Sequence, residues 1–204
     1  MESSDPIFSA GHTMKIVNPL PFVNGIKTSK CFKPAFAISG SLLKSHVPDK
    51  IAEMKSLKIR QATTADVIPL SALIRRTIRV SNSKDYDQKS IDMLCAIFEP
   101  EPVAKRIENE RILLCFAGAN LVGTVGQRGD YLRSMFVEPA YQGQGFGKLL
   151  VERIEDEARK KVLSEILVHS SLTAREFYAA LGYEFVELQS YPEGPFVLMR
   201  KPLQ

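Results

Sequence analysis

The 204-residue sequence predicts an α/β (α+β) fold, a mixed sheet with helices on both faces. Three observations carry that expectation. Stretches of two-residue alternation are interleaved with stretches whose apolar residues recur every three or four positions. Two strand-like runs in the middle of the chain are joined by a turn, as in a hairpin. Farther on, strands are separated by whole helices, as crossovers require.

Leu57-Lys58-Ile59-Arg60 alternates as a short strand, and Thr64 offers an N-cap ahead of apolar Val67, Leu70, Ile74 and Ile78. Pro69 is tolerated only in the first turn of that helix. Arg75, Arg76 and Arg79 occupy its other face, which usually means a solvated face. A second cap, Ser90, precedes Ile91, Leu94 and Phe98, and Pro100 and Pro102 interrupt before Val103–Ile107 resumes. Ile112–Ala117, a turn at Gly118-Ala119-Asn120 and Leu121–Val125 form the hairpin. Tyr131–Val137 is a further strand closed by Pro139, whose ring holds Glu138 extended. Leu150, Ile154, Ala158 and Val162 then recur every fourth residue, with Glu155–Arg159 and Glu157–Lys161 as supporting pairs. A strand at Ile166–Ser170, a helix from Thr173 to Leu181 ended by Gly182, and strands at Tyr183–Leu188 and Phe196–Lys201 complete the series.

Composition narrows the function classes. With 45% apolar and 25% charged residues the chain has the makeup of a globular protein. The most apolar stretch, Ile112–Gly126, is interrupted by Asn120 and Thr124 and falls short of the ~20 apolar residues of a membrane span. A net charge of +4 is too weak to argue for nucleic acid. Three scattered cysteines (Cys31, Cys95, Cys115) and three scattered histidines (His12, His46, His169) offer neither a disulfide framework nor a metal site. A reducing cytoplasm fits that usage.

Residues 1–56 read as an N-terminal extension with little structure of its own, ahead of a domain over 57–204. From Met1 to Glu53 there are six lysines and no arginine, and eight turn-forming residues deny any lasting period. The acidic, polar start and the lack of arginine fit neither a secretory nor a mitochondrial signal. Met54 has the look of an original initiator, which makes the preceding residues an optional leader.

The chemistry concentrates in Val137-Glu138-Pro139-Ala140-Tyr141-Gln142-Gly143-Gln144-Gly145-Phe146-Gly147-Lys148. A strand ends, three alternate glycines follow and a long helix starts. Glycine lets successive N–H groups converge and a ligand approach without meeting a β-carbon. Free first-turn N–H groups and the helix dipole favour an anion there. Gln142–Leu149 contains no acid and does contain Lys148, so a phosphate or pyrophosphate is the expected guest. The spacing is wrong for two common phosphate loops. Gly143 and Gly147 are four apart with Leu149 after Lys148, which fails the Walker pattern. Leu150 and Lys148 stand where a dinucleotide fingerprint needs a small residue.

What the segment does match is Gln-x-x-Gly-x-Gly, which resembles the acyl-CoA-binding motif of the GNAT superfamily of N-acetyltransferases. Ala174-Arg175-Glu176-Phe177-Tyr178-Ala179-Ala180-Leu181-Gly182-Tyr183 is similar to that family's later helix and Leu-Gly-aromatic turn, and the resemblance runs from about Leu57 to the C-terminus. It implies a mostly antiparallel sheet splayed in the middle, with Tyr131–Val137 and Ile166–Ser170 parting to admit acetyl-CoA as co-substrate and no metal. Pantetheine would pair with backbone at Met135, Phe136 and Val137, and the pyrophosphate would sit over Gln142, Gly143, Gln144, Gly145, Phe146, Gly147 and Lys148. A backbone N–H near Met135 or Phe136 would stabilise the oxyanion. Tyr178 matches the tyrosine that protonates the departing thiolate, and Ser171 stands where members often use Asn to hold CoA. Ile166 replaces a glutamate found in members that acetylate protein N-termini, so the general base is unassigned among Glu138, His169, Asp85, Asp87 and a water chain. The acceptor is expected to be a small-molecule amine, contacted between Val67 and Phe98 with Tyr86 and Phe98 as lining candidates, and a homodimer is compatible with this reading. The competing classes are a catalytically inactive acyl-CoA-binding sensor and a module that binds protein or nucleic acid.

Overall fold

The computed structural model describes residues 57–203. The expected extension and the suggested initiator Met54 lie outside the described residues.

Strand β1 (Leu57–Gln61) leads into a 3-10 turn at Thr64–Asp66 and helix α1 (Val67–Ser81). The anchor of that turn is Asp66. Its carboxylate accepts from the backbone N and Oγ1 of Thr63 at 2.8 and 2.9 Å and from both terminal nitrogens of Arg60 at 2.7 and 2.6 Å. The capping residue is therefore Thr63, one position before the expected Thr64. Pro69 falls in the first turn, where its missing N–H costs nothing.

Helix α2 spans Gln88–Ala96 and is capped by Asp87, whose Oδ1 accepts from Ser90 N at 2.8 Å. Ser90, the expected cap, lies inside the helix, and Phe98 lies beyond its end. Helix α3 (Pro100–Asn109) begins on Pro100 itself, so both prolines occupy its opening turn.

Strands β2 (Arg111–Ala117) and β3 (Asn120–Arg128) form the expected hairpin, with β3 four residues longer than expected. Strand β4 is Tyr131–Val137, as read. Helix α4 (Phe146–Lys160) follows, then β5 (Glu165–Ser171), a short helix α5 (Arg175–Ala180), β6 (Glu184–Tyr191) and β7 (Gly194–Pro202).

The seven strands lie in the order β1-β2-β3-β4-β5-β7-β6. Every neighbouring pair is antiparallel except β4 and β5. That parallel pair is joined at two positions only, Tyr131 to Leu167 and Leu132 to Val168. Beyond Leu132, β4 has no partner on the β5 side, and the sheet opens.

Each face has its own core. One is built on α4 and α5, with Leu150, Val151, Ile154 and Ala158 set against Val122, Val125, Ile166 and Val168. The other joins α1, α2 and α3 through Leu70, Leu73, Ile74, Ile91, Leu94 and Val103 to Ile112 and Leu114. The α4 stripe ends earlier than its period suggested. Val162 lies outside the helix at φ +59° and is 88% exposed.

Of the two expected pairs on α4, Glu155–Arg159 forms at 3.5 Å. Glu157 instead pairs with Arg111 at 2.7 Å and Arg153 at 3.3 Å, while Lys161 reaches Gln127 at 3.4 Å. Glu155 faces the core and is neutralised there by Lys201 of β7 at 2.7 Å, a helix-to-strand tie that local spacing could not reveal.

Leu150 is fully buried between α4 and the sheet. Leu150→Ala should cost about 2–5 kcal/mol, read as a lower denaturant midpoint at unchanged slope.

Candidate active site

The opening begins at an irregularity in β4. Between the pairs Gly126–Arg133 and Thr124–Phe136, two residues of β4, Ser134 and Met135, face one of β3. This is a β-bulge, and Ser134 sits in it at φ +49°. A left-handed serine in a strand costs on the order of 1–3 kcal/mol and holds one peptide out of the ladder. Backbone groups at this point face the gap left by β5. Val137, expected among the free groups, has its carbonyl engaged by Gln142 Nε2 at 2.9 Å and Thr77 Oγ1 at 3.4 Å. That carbonyl is therefore spent within the protein.

Past Glu138 the chain makes a 3-10 turn (Pro139–Tyr141) and enters the glycine loop. The three glycines serve two purposes. Gly143 (φ +72°) and Gly145 (φ +89°) turn the chain in the left-handed region, and a Cβ on either would meet nothing within 4 Å. Both face open space free of side chains. A Cβ on Gly147 would stand 3.2 Å from the Phe177 ring, so that glycine permits α4 and α5 to pack closely. Gly145 is the N-cap of α4 without a side-chain cap, and the first turn holds no acid. The first-turn N–H groups thus remain unspent, which is what an anion requires. Lys148 is exposed beside it, 3.7 Å from Glu152. Phe146 is buried in the core and Gln144 donates to Ala140 O at 2.9 Å, so both shape the loop from within.

Helix α1 holds this loop in place. Gln142 Nε2 donates to Ser81 Oγ at 2.9 Å as well as to Val137 O. The Arg76 guanidinium grips Glu138 through Nε at 2.9 and 3.0 Å, which lifts its own pKa further. Arg76, Thr77 and Ser81 thus reach the end of β4 and both flanks of its turn.

Tyr178 of α5 is 3% exposed, edge-on to Phe177 and Tyr183 at 5.1 and 5.4 Å. Burial raises its phenol well above the usual ~10, so it stays protonated at any working pH. Ser171 Oγ accepts from Ala174 N at 3.3 Å, capping the turn into α5. Ile166 is core.

His169 projects into the opposite face, stacked on Tyr131 at 5.4 Å and edge-on to Tyr191 at 6.1 Å. Burial holds it below its ordinary pKa, helped by the charge of Arg133 and opposed by its hydrogen bond to Gln189 and the charge of Glu187. It is a neutral imidazole near pH 7.

The other residues singled out in the sequence are engaged as well. Asp85 accepts from Thr173 Oγ1 at 2.6 Å. Tyr86 donates to Pro195 O at 2.7 Å, accepts from Leu172 N at 3.1 Å, and is pushed up to about 12 by burial. Phe98 is core, edge-on to Phe136 at 5.3 Å. Arg75 pairs with Glu99 at 3.2 Å.

Sequence reasoning missed buried Glu110. It lies 2.9 Å from Arg133 and 3.7 Å from Arg106, whose guanidinium covers the Phe98 ring at 5.0 Å. The four-residue spacing of Arg106 from Glu110, just past the end of α3, was its one local hint.

A family model described as "Acetyltransferase (GNAT) domain" matches residues 82–203. The chain is 24% identical over 136 residues to an uncharacterized N-acetyltransferase, YafP, of Escherichia coli, covering 67% of this chain and 87% of that protein. It is 35% identical over 96 residues to an IAA acetyltransferase of Azospirillum brasilense, covering 42% of this chain and 59% of that one. In fold it is similar to a GCN5-related N-acetyltransferase from Rhodopseudomonas palustris, at TM-score 0.68, 22% identity and coverage of 72% and 95%. A PaiA N-acetyltransferase from Thermoplasma acidophilum, solved with coenzyme A, matches at TM-score 0.60, 19% identity and coverage of 72% and 99%.

If α1 holds the turn after β4, Ser81→Ala and Gln142→Leu should each cost about 1 kcal/mol of stability, read as a lower denaturant midpoint at unchanged slope.

Proposed function

The chain belongs to the GNAT acetyltransferase family and is an acyltransferase; from that premise we propose that it transfers an acetyl group from acetyl-CoA directly to the primary amine of a small molecule. The observation that carries the proposal is the coincidence of two openings at one end of the sheet. The open, side-chain-free space at Gly143 and Gly145 follows the end of β4, the strand that parts from β5.

A diphosphate fits the first opening because unspent N–H groups and a positive helix end face it without an acid nearby. An extended amide-bearing arm fits the second by pairing with the free edge of β4, as an added strand would. Acetyl-CoA has both parts, one beside the other. Its thioester then falls near the bulge at Ser134 and Met135, whose released N–H suits an oxyanion.

In the transfer the amine nitrogen bonds to the acetyl carbon, the carbon–sulfur bond breaks, and the departing thiolate takes a proton. Tyr178 is the proposed proton donor. Its raised pKa does not disqualify it, because burial raises the basicity of a neighbouring thiolate for the same reason. The amine's own proton has no side chain assigned to it.

Among the described residues no helix is long and apolar enough to cross a membrane. Cys95 and Cys115 are free and buried, which supports a reducing compartment such as the cytoplasm.

Purified protein with acetyl-CoA and a panel of small primary amines should release thiol. Stabilisation by CoA with no release on any amine would leave only a binder. Tyr178→Phe should lower kcat by roughly 10²-fold while leaving the KM for acetyl-CoA near its original value. An unchanged kcat removes the assigned role.

A further inference from the structure

Four carboxylates among the described residues are buried, and three of them are matched. Asp66 is held by Arg60, Glu110 by Arg133 and Glu155 by Lys201. The fourth is Glu193, in the turn between β6 and β7. It is 4% exposed, and its Oε2 is shielded from solvent without a hydrogen-bond partner. A buried carboxylate in that condition is costly, and such groups in folded proteins ordinarily answer to a partner.

Its neighbourhood is aromatic. On the face covered by α1, α2 and α3, rings run from Tyr131 through His169 and Tyr191 to Phe196, with successive centroids 5.4, 6.1 and 5.7 Å apart. The charge of Glu193 reaches this row, because it helps to raise the Tyr191 phenol, behind burial and the charges of Tyr131 and Glu187. Aromatic faces ending in a carboxylate make a receptor for an organic cation. The turn itself is firmly placed. Gly194 stands at φ +116° with no room for a Cβ, which would come within 2.9 Å of the Tyr86 ring.

Topology says which nitrogen it would hold. Ser171 at the end of β5 pairs with Phe196 near the start of β7, so the turn lies at the same end of the sheet as the gap between β4 and β5. Strand β7 is two places from β4. At roughly 4.8 Å per strand, Glu193 stands about 10 Å or more from the bulge. A nitrogen that attacks a carbonyl must be neutral, and a carboxylate beside it would favour the ammonium. Glu193 therefore suits a nitrogen that does not react.

We propose that Glu193 binds a second positive charge on the acceptor, so that the preferred substrate is an amine carrying another cationic group several carbons from the reacting nitrogen. This inference rests on the acetyl-transfer reading and deepens it.

The test compares 1,6-diaminohexane with hexylamine, equal in length and different in the second ammonium, using the full chain and its Glu193→Gln variant. The wild type should favour the diamine in kcat/KM by at least tenfold, and the variant should lose that preference. An equal preference in both proteins overturns the proposal. A second measurement stands apart from turnover: millimolar 1,6-diaminohexane should raise the Tm of the wild type more than that of the variant, and an identical rise overturns the proposal even if no amine is acetylated. In the absence of amine, Glu193→Gln should unfold no earlier than the wild type. A marked fall in Tm would mean that the carboxylate has a structural partner, and would also overturn the proposal.

Discussion

The structure depends on how briefly β4 and β5 hold together. Two paired positions keep the halves of the sheet in one piece, and the divergence that follows creates the cleft. A parallel pair this short contributes little cohesion. The two faces are therefore held largely by the layers above and below, α4 with α5 on one side and α1 with α2 and α3 on the other. Opening a sheet exposes backbone polar groups that would ordinarily be matched, and a protein tolerates that cost where a ligand can satisfy them.

Helix α1 has a double assignment in this arrangement. Leu70, Leu73, Ile74 and Ile78 build the second core, while Arg76, Thr77 and Ser81 reach across to the turn after β4. The helix that helps to form one face of the sheet thus fixes the loop that opens beside α4. Gln142, which reads as a ligand residue, spends its amide nitrogen on that attachment. The backbone of the loop remains available because its side chains are occupied elsewhere.

Much of this architecture was legible in the residues. The strand closed by Pro139, the four-residue period of Leu150, Ile154 and Ala158, and the glycines at 143 and 145 all act locally, so their signals survive without tertiary information. The illegible parts are the non-local ones. Ser134 carries no mark of a positive φ, since the strain is imposed by the strands on either side. Gly147 resembles its neighbours in the motif, yet its reason is a ring on another helix. The Arg76–Glu138 grip spans 62 residues, and nothing in either flank announces it. Val162 kept the right period but fell past the helix end, where the chain reverses. Asp87 capped α2 in place of Ser90 because its side chain reaches the free N–H three residues on.

The placement of β7 has a bearing on how the molecule is made. This strand comes last in the chain but slots between β5 and β6, and its Lys201 neutralises the carboxylate buried on α4. During synthesis, β5 and β6 have no neighbour in common until residue 202 emerges, and Glu155 has only its longer contact with Arg159. Cooperative closure of the C-terminal half must therefore wait until β7 has been made, and a nascent chain arrested before it would present two unpaired strand edges to whatever it meets first.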